Sequence, residues 1–382
     1  MASNYRCEVI YKNLGNSTVT ISAIGQGTIG AGGYIGTTHE RISDRIAVIH
    51  AGIEEGITFL DTAEDYEDGH AEEVLGKALK GIRDKVFISN KFKPENNTFT
   101  GVMKAAEMSL KRLQTDWIDL YQIHWPNPQI PLSETLEGML KLVEQGKVRF
   151  IGVSNLTYQQ LREACKLSDD KIVSMQVEYS LSNRYIEKEI LPYCVNKELT
   201  LIAYSPLSRC NWCFGKQEKT ILDCMCEKYA VTTPQIFLNW IISHKNVVAL
   251  TQTMSLAHIR ENGQATQFIL EEDDIEILSM AFFREPVLVP TKRIRILNED
   301  ADETHRIYTT IEDAITNKMN VQPSPVIIAE ELKQGSMLRP IELILSEDNS
   351  GYYDYDLTHG RMRYWAWIIA YGQEASIPAY IK

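Results

Sequence analysis

WIDLYQIHWPNPQIPLSETLEGMLKLVEQGKVRFIGVSN, residues 117–155, reads as three pieces. A β-rich apolar run (117–125) reaches His124 near its end. A stretch follows (133–147) in which Leu136, Met139, Leu140 and Val143 recur at three- and four-residue spacing and Gly146 supplies a stop, the pattern of an amphipathic helix. A second β-rich run (148–155) closes the piece. Strand, crossover helix and strand make one βα repeat of a parallel sheet. Outward from it, the rhythm runs from residue 20 to about 265, adding strands at 21–28, 58–63, 85–92, 171–180, 200–207 and 247–253. Eight such strands in roughly 250 residues predict an α/β fold of the closed (β/α)8 TIM-barrel type more than an open doubly wound sheet. GAGGYIG (30–36) has glycines, but no helix with dinucleotide-fingerprint spacing follows directly. Ahead of the barrel, VIYKNLGNSTVTIS (9–22) alternates around a turn and reads as a hairpin plugging one barrel end.

The 382 residues, 44% hydrophobic and 24% charged, suit a soluble globular protein with one large domain and a smaller one. A formal charge of −12 argues against extended contact with nucleic acid or an anionic membrane. The first residues lack the apolar core of a secretory signal, and no apolar run approaches the roughly 18 residues of a membrane span. A cytoplasmic location is the expectation, and the seven cysteines read as free thiols. Beyond about 285 the rhythm changes. The expected organisation is a barrel over 1–285, a proline- and charge-rich linker over 286–305, and a small α+β domain over 306–382.

Three ionisable residues end three successive predicted strands: Asp61, Lys91 and His124, with Tyr66 in the loop after the first. In this fold the strand C-termini converge at one mouth. A carboxylate can hold an ammonium, and the ammonium can stabilise a phenolate, so that Tyr66 exchanges a proton with a carbonyl or alcohol oxygen while His124 donates to the same oxygen. No side chain supplies hydride, so carbonyl reduction requires a cofactor in that mouth.

These residues, with GVSN (152–155), QVEYS (176–180), AYSPLSR (203–209) and HIREN (258–262), resemble the aldo-keto reductases over about residues 8–282. The resemblance implies Asp61, Tyr66, Lys91 and His124 as the catalytic set and a nicotinamide dinucleotide in the mouth. It implies Tyr204 against the nicotinamide, Ser154, Asn155 and Gln176 on its carboxamide, and Gly27 and Thr28 near the reacting end. Ser205, Leu207, Glu261 and Asn262 would serve the pyrophosphate and adenosine side. Gln252, Thr253 and His258 stand where the family's NADP users place cations, and Arg260 is the one nearby positive charge; this leans the expectation towards NAD over NADP. Trp125, beside His124, and Trp212 are candidate substrate contacts. Cys210 and Cys213 form a CxxC, and Cys224 and Cys226 a CxC. The latter pair falls in a helical pattern that sends the two thiols to opposite sides, so no metal is expected.

Residues 338–381 resemble the ParB-like/sulfiredoxin-like fold through Pro340, Gly360, Arg361, Arg363, Ala366, Gly372 and Pro378. The resemblance implies an anion site at a helix start, with Arg361 and Arg363 as ligands. Sulfiredoxin chemistry is excluded because the last cysteine is Cys226. Ten Lys or Arg against fourteen Asp or Glu over 287–382 make DNA binding there unexpected. The combined expectation is an NAD(P)-dependent oxidoreductase acting on a small carbonyl, with a phosphorylated or nucleotide-linked sugar as candidate substrate. A cofactor-binding sensor with little turnover is the alternative, and oligomer contacts could run through the C-terminal domain.

Overall fold

The computed structural model describes residues 9–29, 41–210, 212, 214–296, 308–319, 321, 324–333, 339–348 and 351–381, so GAGGYIG and Cys213 lie outside the described residues. The chain forms two compact units, Met1–Phe283 and Arg284–Lys382.

In the first unit, β1 (Tyr11–Asn13) and β2 (Thr20–Ser22) pair antiparallel as the expected hairpin. Then come β3 (Ile24–Gly27), β4 (Phe59–Asp61), β5 (Phe87–Phe92), β6 (Ile118–Ile123), β7 (Val148–Ser154), β8 (Ile172–Glu178), β9 (Thr200–Tyr204) and β10 (Val247–Thr251). All neighbours are parallel and β10 pairs back onto β3, closing the barrel. Most barrel-strand residues are buried, because side chains alternate between the barrel interior and the surrounding helices. The helix read at 133–147 spans Leu132–Glu144, entered from Pro131. Its neighbour Tyr158–Leu167 is opened by a capping box of Thr157 and Gln160.

The hairpin forms the floor. Leu14 and Ile21 pack with Phe59, Phe87, Leu120, Val173, Ile202 and Val248 inside the strand N-termini. Thr200 Oγ1 pins the turn, accepting from Gly15 N at 2.7 Å and donating to Asn13 O at 2.9 Å. Gly15 has φ +56 and a Cβ there would lie 2.9 Å from Val173 O, so only glycine fits. With the N-terminal end filled, chemistry is left to the C-terminal rim.

The second unit is a five-stranded mixed sheet. Its strands are β11 (Val287–Pro290), β12 (Ile294–Arg295), β13 (Ile341–Leu345), β14 (Tyr355–His359) and β15 (Ser376–Ile381), in the order β11-β15-β13-β14-β12. Helices Pro325–Lys333 and Arg361–Tyr371 belong to it. Here the structure differs from the sequence reading: β11 and β12 fall within the stretch expected to be linker. Proline and charge suggested a loop, but both strands are edges, where a missing N–H and polar side chains are tolerated. Pro378 lies in the interior strand β15 where it faces β11 alone, opposite Leu288, since the pairing with β13 starts only at Ala379.

Candidate active site

Side chains two apart on a strand share a face, and the inward faces of four barrel strands end in one connected polar cluster. Asp61 closes β4, fully buried. Its Oδ2 accepts from Ser89 Oγ and Gln176 Nε2, each at 2.9 Å, and its Oδ1 is bound by Lys91 Nζ. Gln122 Nε2 donates to Ser89 Oγ at 2.8 Å, extending the chain across the interior. Lys91, also fully buried, donates again to Thr62 O at 2.9 Å. An ammonium out of water needs such a partner, and the carboxylate in turn needs its three donors.

The Lys91 ammonium lies 5.1 Å from the centre of the Tyr66 ring. Tyr66 meets the His124 ring edge-on, with centroids 5.7 Å apart. The four residues expected to act together are therefore assembled at one place. Trp125 lies beside His124, its ring inclined at 29° to the imidazole with centroids 6.5 Å apart.

The loop carrying Tyr66 has an unusual backbone. Glu67 (φ 52), Asp68 (φ 55) and Gly69 (φ 90) are left-handed in succession, which disfavours each non-glycine residue by roughly 1–2 kcal/mol. Two buried ion pairs hold it. Glu67 Oε2 meets Arg45 NH1 at 2.6 Å, and Arg45 NH2 donates to Thr28 O at 2.9 Å. One turn further on, Glu72 binds Asn90 Nδ2 at 2.7 Å and the Nε of Arg112. Arg45, Glu67, Glu72 and Ser89 escaped the sequence reading. Ser89 was within reach, being two residues before Lys91, whereas no local pattern marks Arg45 or Glu67 for burial.

On the far side of His124, Asn155 (φ 59) follows β7 and acts as a brace. Its Nδ2 donates to His124 O at 3.0 Å and Ser154 Oγ at 2.9 Å, while its Oδ1 accepts from Tyr204 OH at 3.0 Å. Both of its amide hydrogens are thus used within the protein.

A nicotinamide dinucleotide can be tested against these groups. Gln176 has committed its amide nitrogen to Asp61, leaving its Oε1 to accept from a carboxamide NH2, and Ser154 keeps its hydroxyl proton for the carboxamide oxygen. Gly27 ends β3 where an added Cβ would meet no atom closer than 3.5 Å. Packing alone does not demand glycine there; its absent side chain leaves room for a ligand. Thr28 Oγ1 is buried with no partner among the described residues. Tyr204 offers a half-buried ring. The donor and acceptor set fits the group.

The remaining predicted residues line the adjoining loops. Ser205 is left-handed (φ 50) and Leu207 follows it. Trp212 donates from its indole nitrogen to Leu207 O at 2.8 Å and packs on Phe214 and Phe237, so its ring is engaged in packing. Thr253 Oγ1 accepts from Ser255 N at 3.0 Å, and Ser255 caps the helix Leu256–Gln264 by accepting from His258 N at 3.3 Å. Glu261 is tied to the Thr232 hydroxyl, and Asn262 is buried. Cys224 is exposed and Cys226 half-buried on the helix Lys216–Tyr229.

Arg361 and Arg363 open the helix Arg361–Tyr371 of the second unit, behind Gly360 at φ 102. Arg363 NH1 donates to Arg339 O at 2.9 Å and Pro340 O at 2.6 Å, and Arg361 is only 8% exposed. Arg363 NH1 is thus shared by the carbonyls that enter β13.

A closed parallel barrel carrying a phenol, an ammonium, an imidazole and a carboxylate at its strand C-termini defines an oxidoreductase of the carbonyl–alcohol class. The model of the Aldo/keto reductase family matches residues 23–281. The Escherichia coli methylglyoxal reductase YeaE is 36% identical over 266 residues, spanning 69% of this chain and 92% of that protein. The thermostable aldo-keto reductase Tm1743, solved with the inhibitor epalrestat, superposes with a TM-score of 0.68 at 39% identity, covering 71% of this chain and 99% of that one. A Klebsiella pneumoniae aldo/keto reductase solved with NADP and acetate gives 0.66 at 35% identity, covering 71% and 95%. The chain belongs to the aldo/keto reductase family, and it is an enzyme of that family. No helix among the described residues is long and apolar enough to cross a membrane.

Proposed function

We propose that this protein reduces small aldehydes and ketones to alcohols with NADPH, and that Tyr66 delivers the proton. One observation carries the reading: the buried Asp61–Lys91 pair lies against Tyr66, with His124 at the edge of the same ring. The bound nicotinamide supplies hydride. Lys91 stabilises the phenolate left when Tyr66 gives its proton to the developing alkoxide. Asp61 keeps Lys91 charged and aimed, and His124 orients the reacting oxygen. Asn155 holds both the His124 backbone and Tyr204, so the proton-transfer side and the nicotinamide side share one support.

NADP is favoured over the NAD suggested by the few cations after the eighth barrel strand. The Klebsiella pneumoniae relatives were solved with NADP and with NADPH. Arg260, exposed on the helix Leu256–Gln264, is the cation available for a 2′-phosphate. The similarity to a methylglyoxal reductase makes a small 2-oxoaldehyde the first substrate to assay. A phosphorylated or nucleotide-linked sugar remains a second substrate class to assay, with Arg361 and Arg363 as its proposed ligands and Arg363 NH1 already shared by two carbonyls. For the second unit, the ParB-like reading stands as a proposal about fold alone.

The test is Tyr66→Phe, assayed for NADPH oxidation with methylglyoxal and for NADPH binding by fluorescence. Turnover should fall about 10²- to 10⁴-fold, the range of a general acid, with cofactor affinity kept. A variant that turns over like the wild type overturns the assignment.

A further inference from the structure

One carboxylate of the acidic loop, itself outside the catalytic set, reaches a member of that set. Asp65, immediately before Tyr66, places Oδ1 3.1 Å from Nδ1 of His124. The imidazole is nearly fully buried, whereas Asp65 is about one-quarter exposed. An ionised carboxylate only accepts hydrogen bonds, so this contact is favourable when Nδ1 carries the proton. A neutral imidazole has one ring proton. If that proton is on Nδ1, Nε2 presents a lone pair, and the ring donates through Nε2 only after taking up a second proton.

We infer that Asp65 is a positioning residue that fixes the ring proton of His124 on Nδ1. It thereby decides whether His124 meets the reacting oxygen as acceptor or donor. In the neutral ring Nε2 accepts from a hydroxyl, which suits the alcohol end of the reaction. The donor form suited to a carbonyl is the doubly protonated ring, paired with the Asp65 charge. The same loop thus supplies the proton-bearing phenol and the group that orients its neighbour, one residue apart. Asp65 acts through His124 and touches no reacting atom. The catalytic consequence rests on the role proposed for His124 above; the proton placement does not.

The experiment uses the full chain labelled with ¹⁵N-histidine, read by long-range proton–nitrogen correlation at a pH where the ring is neutral. The His124 signals are assigned by their loss in His124→Gln. The wild type should show a protonated Nδ1 and a bare Nε2. Asp65→Asn, which keeps an acceptor oxygen, should retain that pattern, and Asp65→Ala should lose it. In kinetics with methylglyoxal, Asp65→Ala should lower kcat about ten- to a hundredfold, as removal of an orienting partner commonly does, while KM stays within about threefold and Asp65→Asn recovers most of the loss. A wild-type ring protonated on Nε2, or a ring pattern unchanged in Asp65→Ala, overturns the inference. If the alanine variant does not fold, the wild-type and asparagine spectra decide it. A shifted proton with unaltered kcat upholds the placement and instead removes His124 from the reaction.

Discussion

The two units handle charge in opposite ways. In the barrel, Asp61, Lys91, Arg45 and Glu72 are buried and bound by more than one partner each, and the buried Glu67 is held by Arg45. In the C-terminal unit the pairs of Lys292 with Glu374 and Arg293 with Asp354 lie towards solvent, and only that of Arg295 with Asp356 has a buried partner among those described. Exposed pairs contribute little because water and salt screen them. Buried pairs are costly to assemble and more costly to break. A protein that keeps five charges inside one rim therefore uses them for positioning, whereas the second unit is held by its apolar sheet and helix faces, with Leu343, Leu357, Trp365 and Ile377 in its core.

The contrast can be tested at its strongest point with Lys91→Met. Removing the ammonium leaves Asp61 buried and uncompensated, so the barrel should lose about 3–5 kcal/mol in urea denaturation together with its activity. The double change Asp61→Asn with Lys91→Met should recover most of the stability and none of the turnover. Arg45→Met comes next. It strands Glu67 and frees the left-handed turn, and because a misplacement of about 1 Å can cost on the order of 10² in rate, kcat should fall by about that factor. NADPH affinity should change far less.

A third test concerns His244, half-buried just after the helix Thr233–Ser243, where Nδ1 lies 2.9 Å from Trp240 O and Nε2 lies 3.3 Å from the Tyr179 hydroxyl. Burial pushes its pKa below the ordinary value of 6.5, so the folded ring favours the neutral form. As pH drops through about 6.5 the unfolded chain takes up a proton that the folded ring resists, and stability declines until the folded ring is protonated too. Urea midpoints at pH 7.5 and 5.5 should differ, and His244→Gln should shrink the difference. The smallest effect belongs to the second unit: Lys292→Ala, at its exposed pair with Glu374, should leave the melting temperature unchanged within error. A large shift there would mean that its surface pairs work like those of the barrel rim.

Much of the barrel was legible because both of its periodicities are strong. Strand positions came from short apolar runs and helix positions from spacings such as Leu136, Met139, Leu140 and Val143. The strands were read too long, some at one end and some at both, as 117–125 for Ile118–Ile123, because apolar character continues into the loops beyond the ladder. The residues proposed to be catalytic stood out as ionisable groups ending core strands. Arg45, Glu67 and Asp65 did not, since nothing local distinguishes a charge destined for burial from one facing water. Asn155 was legible as a site residue but not as a brace, because its partners Tyr204 and the His124 carbonyl are 49 and 31 residues away. In the second unit β11 was missed because only Val289 of its four residues is buried, too little for alternation to register.

The hairpin under the barrel has a kinetic corollary. With Leu14 and its neighbours packed under the strands and Thr200 latching the turn in place, the described residues leave the opposite rim as the open end. A cofactor and a substrate that both bind there would share one approach.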